Sequence, residues 1–424
     1  MHNLRILVVL PMYGGSLPVG QFCSQALTQN GHIVEEFNAP AFYPAFESLK
    51  DLRVTTDRLQ YLENSYLNVV GQAVMAKVET FQPDLVLAMA QAPLPPQILK
   101  RLRRDNITTA MWFVEDYRLF TYWKAYAPLY DIFAVIQKDP FFERLHAVGQ
   151  SNVVYLPMAA HPPFHKPVEL NSLDEKKYGS NFSFMGAGYP NRRLAFRQLA
   201  NSGFKIWGSE WDGDHVLEKY VQLGGRRVSS EECVNIFNAT QININLHSSI
   251  QADELVSYGD FVNPRTFEVA ACGGFQLVDK RSLMSELFED DELATFSDMD
   301  ELKEKISYYL EHEDERKHIA AKGQLRVIKD HTYSKRMEKL INFTAGRIHD
   351  WPKPRKTTTA LSILPQDLQQ QVSMLLDKLG LSIDVSFPDL IHAIRQQQGT
   401  LSELDTALLF LDEWQKLYGE KENS

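Results

Sequence analysis

Cysteine is scarce in this sequence: 424 residues contain three, Cys23, Cys233 and Cys272, with no paired spacing. That excludes a disulfide framework or a zinc knuckle and fits a reducing, cytoplasmic setting. Positive charge is short as well, 44 lysines and arginines against 54 acids, for a formal net charge of −10. A general nucleic-acid or anionic-membrane binder needs a basic face, so neither is expected, although a local basic pocket is compatible with this balance. No apolar run approaches the ~20 residues that cross a bilayer, so no integral membrane segment is expected. The opening "MHNLRILVVLPMYGG" has a short apolar core that runs into Pro11 and a glycine pair, which reads as a first buried strand rather than a signal peptide. There is no fixed-period repeat and no low-complexity tract. What remains, 44% hydrophobic and 23% charged, is an ordinary globular composition with room for two full domains and a small third.

Two strand–helix alternations run along the chain. In the first, "RILVVL", "HIVEEFN", "DLVLAMA", "TAMWFVE", "DIFAVI" and "NVVYLP" are short apolar runs with helix-like stretches at 18–30, 60–81 and 95–105. Nearly continuous apolar strands alternating with helices signal a parallel sheet covered on both faces. The proline-rich, then charged, segment 159–179 reads as a linker between a first domain (1–158) and a second (180–348). The second alternation comprises "NFSFMGAG", "FKIWG", "QININLHS", "GFQLVD" and "ELATFS", with helices near 191–201, 231–238, 264–272, 298–311 and 313–329. Two such Rossmann-like, doubly wound α/β domains would set the carboxyl ends of their sheets around one cleft, where open parallel sheets bind ligands. Residues 349–424 begin as a tether and continue with leucines and isoleucines at helical spacing, a small helical appendage suited to docking or self-association.

The stretch "DFVNPRTFEVAACGGFQLVD", residues 260–279, carries the densest chemistry. Asn263 is a good N-cap, Pro264 fits the first helical position, and Gly273 and Gly274 are the expected stop. The free N–H groups of that helix start, with the positive end of its dipole, would favour a departing diphosphate. Glu268, a little over one turn in, accepts naturally from both hydroxyls of a ribose, and Asp260 from those of a sugar. The competing reading is a capped helix with two unrelated surface acids.

"FSFMGAGYPNRRLAF" is strand, glycine turn and helix, in which Gly186, Gly188, Arg192 and Arg193 would make a diphosphate seat, or else a plain turn with two solvent arginines. Asn191 stands where a dinucleotide fingerprint needs its third glycine. A second glycine turn, "PMYGGSLP", offers Tyr13, Gly14 and Gly15 as an acceptor or phosphate loop. "MWFVEDYR" puts Glu115 and Asp116 at a strand end, where Asp116 would orient an acceptor or simply cap the next helix. His247 ends another strand, as a structural hydrogen-bonding residue or a donor contact. Asp212 and Asp214 in "EWDGDH" form an Asp-x-Asp pair, read as a solvent loop rather than a metal site, and His161 and His165 in the linker are read as unliganded. No metal is expected.

"NPRTFEVAACGGFQLVD", with the segments from "SELFEDDELATF" to "HTYSKRMEKL", resembles the C-terminal half of GT-B glycosyltransferases, above all the CgeB-like (spore maturation protein B) group allied to the retaining group-one enzymes. "FVEDYRLFTYWKAYAPLYDIFAVIQKDPF" is similar to that group's first domain. The resemblance covers most of residues 4–346 and none of the appendage. It implies a GT-B fold and transfer of a sugar from a nucleotide-diphosphate donor, UDP-type favoured, with retention and without a cofactor, to an unknown acceptor. It implies that Glu268 chelates the donor ribose and that Asp260 contacts the donor sugar, a position where the family carries Glu. Asp116, Asp260 and Glu268 form the catalytic set so implied. Donor contacts fall to Gly186, Gly188, Arg192, Arg193, His247, Asn263, Arg265, Thr266 and Glu268. Two alternatives remain: a non-catalytic nucleotide-sugar binder or scaffold, and a nicotinamide-dependent oxidoreductase using Glu210.

Overall fold

A computed structural model describes residues 3–200, 203–249, 255–256, 259–353, 365–382 and 385–418. The apolar runs of the first domain become β1 (Arg5–Val9), β2 (Ile33–Phe37), β3 (Leu85–Met89), β4 (Thr109–Phe113), β5 (Ile132–Val135) and β6 (Val153–Tyr155). They form one parallel sheet in the order β2-β1-β3-β4-β5-β6. Every residue of β1, β3, β4 and β5 is buried, which is why these runs are apolar without alternation. Side chains alternate across the sheet, so Ile6 and Val8 enter one core while Leu7 and Val9 enter the other.

The second domain repeats this plan with β7 (Ser180–Met185), β8 (Phe204–Trp207), β9 (Thr240–Asn245), β10 (Gln276–Asp279) and β11 (Ala294–Phe296). These are also parallel, ordered β11-β10-β9-β7-β8. The fold is α/β throughout both sheets, with helices on each face.

Two expectations about the junction need correction. The helix Tyr333–Arg347 falls within the range read as the second domain, yet its apolar stripe of Met337, Leu340 and Ile341 packs on the helix Ser16–Gln29 of the first. The chain therefore crosses the seam before this helix, and amphipathic spacing alone does not say which domain supplies the partner face. The segment 159–179 is not a free linker either, since His161 and His165 are 3% and 4% exposed. The two crossings are bonded to each other: Ala160 N–H donates to His331 O at 3.0 Å, and Tyr333 N–H to Ala160 O at 2.9 Å. The buried guanidinium of Arg336 fastens them further, Nε donating to Pro157 O at 2.7 Å and Nη2 to Met158 O at 3.1 Å.

The appendage forms helices Gln366–Leu379, Phe387–Gln396 and Glu403–Tyr418 around a small core of its own. Asp389 ties it to the first domain by a 2.6 Å ion pair with Arg5, itself 2% exposed. Arg5 begins β1, so this contact lies at the amino end of the sheet, opposite the end that faces the cleft. Much of the expected tether, residues 354–364, lies outside the described residues. No described helix is long and apolar enough to cross a membrane.

Candidate active site

Where the carboxyl ends of the two sheets meet, both domains line a cavity of about 840 Å³. Tyr13, Gly14 and Gly15 face it from the first domain, and Gly186, Arg226, Arg227, Arg265 and Glu268 from the second. Gly14 has φ +99°, a backbone conformation that favours glycine, and an added Cβ there would meet nothing within 4 Å, leaving the turn open to the cavity.

The helix Pro264–Ala271 forms as its sequence dictates. Asn263 is extended (φ −71°, ψ 162°) and its side chain accepts from Thr266 N–H at 3.2 Å, while Pro264 occupies the first turn and Gly273 (φ +72°) follows the end. One side of the helix is fixed by a buried polar network. Asn245 Nδ2 donates to Thr266 Oγ1 at 3.0 Å, Asn263 Nδ2 to Asn245 Oδ1 at 2.7 Å, and Gln276 Nε2 to Thr266 O at 2.7 Å. Thr266 is fully buried behind the helix and so does not face the cavity, contrary to its placement among donor contacts. Asn263 likewise serves the cap and the network.

His247 is fully buried too, and acts one step further back. Its Nδ1 lies 2.6 Å from Asp279 Oδ1 and its Nε2 accepts the Asn263 N–H at 2.9 Å, so Nδ1 carries the proton. Burial pushes His247 down to about 4, which keeps the ring neutral. Burial opposes ionisation of Asp279, but the His247 N–H bonds and the Arg281 guanidinium outweigh it and hold that carboxyl below the usual range. The histidine thus orients the residue that caps the helix.

Glu268 reaches the cavity with its carboxylate largely shielded, its side chain 7% exposed. It pairs with Arg265 and lies 4.0 Å from His165 Nε2. Burial brings His165 down to about 4, leaving that neighbour neutral.

The arginines of the glycine turn depart from expectation. Arg192 Nε donates to Leu246 O at 2.9 Å and its Nη1 to Ala187 O at 3.1 Å. Arg193 Nε donates to Gly188 O at 2.9 Å, its Nη1 to Asp212 O at 2.8 Å, and its Nη2 to Glu210 O. Both brace loop carbonyls, and neither lines the cavity. Gly188 belongs to the same brace, since a Cβ there would sit 2.1 Å from Glu210 O. Of the Asp-x-Asp pair, Asp212 is exposed as a solvent loop requires, but Asp214 is 2% exposed and paired with Arg197 at 3.1 Å. Among the described residues no group of three or more His, Cys, Asp or Glu side chains is gathered to hold a metal ion.

Asp116 and Asp260 meet at the seam beside the cavity without lining it. Gln137 Nε2 donates to Asp260 Oδ1 at 2.8 Å and, more weakly, to Asp116 Oδ1 at 3.4 Å. Arg118 Nη2 is 3.0 Å from Asp116 Oδ2 and 3.8 Å from Asp260 Oδ1. One amide and one guanidinium therefore join carboxylates from opposite domains.

Sequence reasoning passed over Gln137, Arg118, Arg226 and Arg227. For the last two a signal was present: "GGRRVSS" at 224–230 is another glycine turn with paired arginines before a helix. Arg226 Nη2 pairs with Glu232 at 2.7 Å, whereas Arg227 Nη2 donates to Gly14 O of the first domain at 3.0 Å. Of the cavity's three arginines, only Arg227 has no carboxylate partner among the described residues.

Residues 174–342 match a family model described as glycosyl transferase-like. The chain is 26% identical over 280 residues to Spore protein CgeB of Bacillus subtilis (strain 168), covering 63% of this chain and 84% of that protein. Among solved structures it is similar to sucrose-phosphate synthase from Thermosynechococcus elongatus, at 13% identity and TM-score 0.54, over 81% of this chain and 99% of that one. It is also similar to Anabaena HepE in complex with UDP and glucose, at 12% identity and TM-score 0.56, over 81% of this chain and 100% of that one. At such identities the structures speak to the fold, and they agree with the paired parallel sheets described above. The chain is a glycosyltransferase built on the GT-B fold and similar to Spore protein CgeB.

Proposed function

We propose that the chain transfers a sugar from a nucleoside-diphosphate donor, UDP-type, to an acceptor held by the first domain, with retention of configuration and without a metal. The observation that carries this reading is the shared cavity, in which Glu268 and Arg227 face the same space at the start of a proline-initiated helix. Glu268 accepts from the ribose hydroxyls. Arg227 and the N–H groups at the start of Pro264–Ala271 meet the diphosphate, whose charge grows as the glycosidic bond to it breaks. In this role Arg227 replaces Arg192 and Arg193. Asp260 contacts the sugar at the seam and Asp116 stands on the acceptor side, with Tyr13, Gly14 and Gly15 closing over the phosphates. HepE, a structural neighbour, is solved with UDP and glucose, which supports the choice of base.

Closure brings these groups together and excludes the water that would hydrolyse the donor. The Arg227–Gly14 contact and the Lys138–Glu286 ion pair already span the domains. The bonded crossings at Ala160 and Thr332 supply the pivot.

A thermal-shift panel of nucleotides and nucleotide sugars tests the reading. A donor at a hundred times its Kd stabilises the protein by about 2.7 kcal/mol, and the shift should vanish in Glu268→Ala. An intact shift in that variant would remove Glu268 from the ribose. No shift with any nucleoside diphosphate would overturn the donor site as a whole. Anomeric analysis of the product by NMR decides retention.

A further inference from the structure

The helix Thr56–Phe81 is 26 residues long, yet its buried residues all lie in its second half, from Val70 to Phe81. The first half has no buried residue, touches the core only through Tyr66 and Leu67 at its end, and leaves Tyr61 66% exposed. Together with the turn that follows β3, it walls a recess of about 340 Å³ at the carboxyl end of the first sheet. The polar lining is four carboxamides, from Asn64, Asn68, Gln91 and Gln97, and the phenol of Tyr126. The remaining wall is Leu67, Ala92, Leu94 and the rigid rings of Pro93, Pro95 and Pro96. No Asp, Glu, Lys or Arg lines it.

The recess adjoins the reacting seam. Gln91 Nε2 donates to Glu115 Oε1, and Tyr122 OH donates to Glu115 Oε2 at 2.7 Å. Glu115 is followed in the chain by Asp116, which Gln137 and Arg118 link to Asp260 of the other domain. The side chains of Asn64, Asn68 and Gln97 are exposed and make no hydrogen bond within the described residues.

We propose that this recess is the acceptor subsite and that it takes an uncharged, hydroxyl-rich saccharide. The proposal rests on the sugar-transfer reading above and adds the chemical class of the acceptor. A carboxamide both donates and accepts, as a sugar hydroxyl does, so each can satisfy the other. A phosphate or carboxylate only accepts. It would use the amide N–H groups alone, leave the carbonyls facing a negative charge, and find no cation in the lining. The proline and leucine wall suits the C–H face of a pyranose, and the recess has the size of a small-molecule site.

The test uses the full chain on an array of immobilised neutral, uronate-bearing and phosphorylated glycans, with and without saturating UDP. Wild type should retain neutral glycans. The Asn64→Ala/Asn68→Ala variant should lose them by at least about tenfold, the scale of one or two hydrogen bonds. Both positions are exposed on a helix and alanine favours helix, so the fold should hold, as an unchanged UDP thermal shift would confirm. Preference for anionic glycans, retention undiminished in the variant, or no glycan bound by wild type would each overturn the proposal. Loss of the UDP shift in wild type would instead overturn the donor reading, because the array reads the recess without a donor.

Discussion

The second domain carries two arginine pairs that follow glycine turns, one in the first turn of a helix and one just before a helix, and they do different work. Arg192 and Arg193 sit in the helix Pro190–Arg197, next to loops whose carbonyls at Ala187, Gly188, Glu210, Asp212 and Leu246 lack strand partners. Those carbonyls absorb both guanidinium groups. Arg226 and Arg227 precede the helix Ser230–Ala239, whose start is already satisfied by a capping box between Ser229 and Glu232. Glu232, held down to about 2 chiefly by its bond from Arg226, takes one arginine. Arg227 is left to reach across the cleft. The comparison teaches that a guanidinium near a glycine turn is a phosphate ligand only if the local backbone does not claim it first.

The sharpest way to break the contrast is Arg192→Ala. It strands the Leu246 carbonyl, takes one of two donors from Ala187 O and should cost about 3 kcal/mol in denaturant unfolding, while any protein still folded keeps its donor shift. Full stability with lost donor binding would invert the assignment of the two pairs.

The braced side should also be the acid-sensitive one. His247 titrates near 4 when folded and near its ordinary 6.5 when unfolded, so the unfolded chain binds the extra proton between those values. Its contribution is complete above about 6.5 and is lost as pH falls toward 4, up to about 3 kcal/mol for the single group. Unfolding measured across that window should show this slope, and His247→Gln should flatten it.

On the other side, Arg227→Ala should weaken the UDP-type donor about tenfold by titration, with the melting temperature unchanged because the side chain is exposed. The smallest effect belongs to Arg226→Ala. That residue is exposed and engaged with Glu232, so donor affinity should move less than about threefold. Equal losses from Arg226→Ala and Arg227→Ala would erase the distinction drawn within the second pair.

Much of the architecture was legible in local pattern. Nine of the eleven strands fall inside the apolar runs and β7 and β9 start one residue before theirs, because central strands buried on both faces leave no room for polar alternation. The helix at Pro264 was legible down to its cap and stop, since Asn, Pro and Gly act through their own backbone geometry. The same local logic misplaced Thr266 and Asp214, because it tells nothing of whether a polar group turns toward a cavity or toward a buried partner. It also assigned Tyr333–Arg347 to the wrong domain, an error of partner rather than of helix.

The amino-acid sequence by itself determined what short-range sterics and the burial of apolar runs control: two parallel α/β sheets, a capped helix carrying Glu268, and a helical tail. Tertiary structure alone decided which arginine remained for the cleft, that Gln137 and Arg118 join Asp116 to Asp260, and that an uncharged recess opens beside them. Such choices depend on groups far apart in the chain competing for the same partner, and that competition is settled only once the domains have packed.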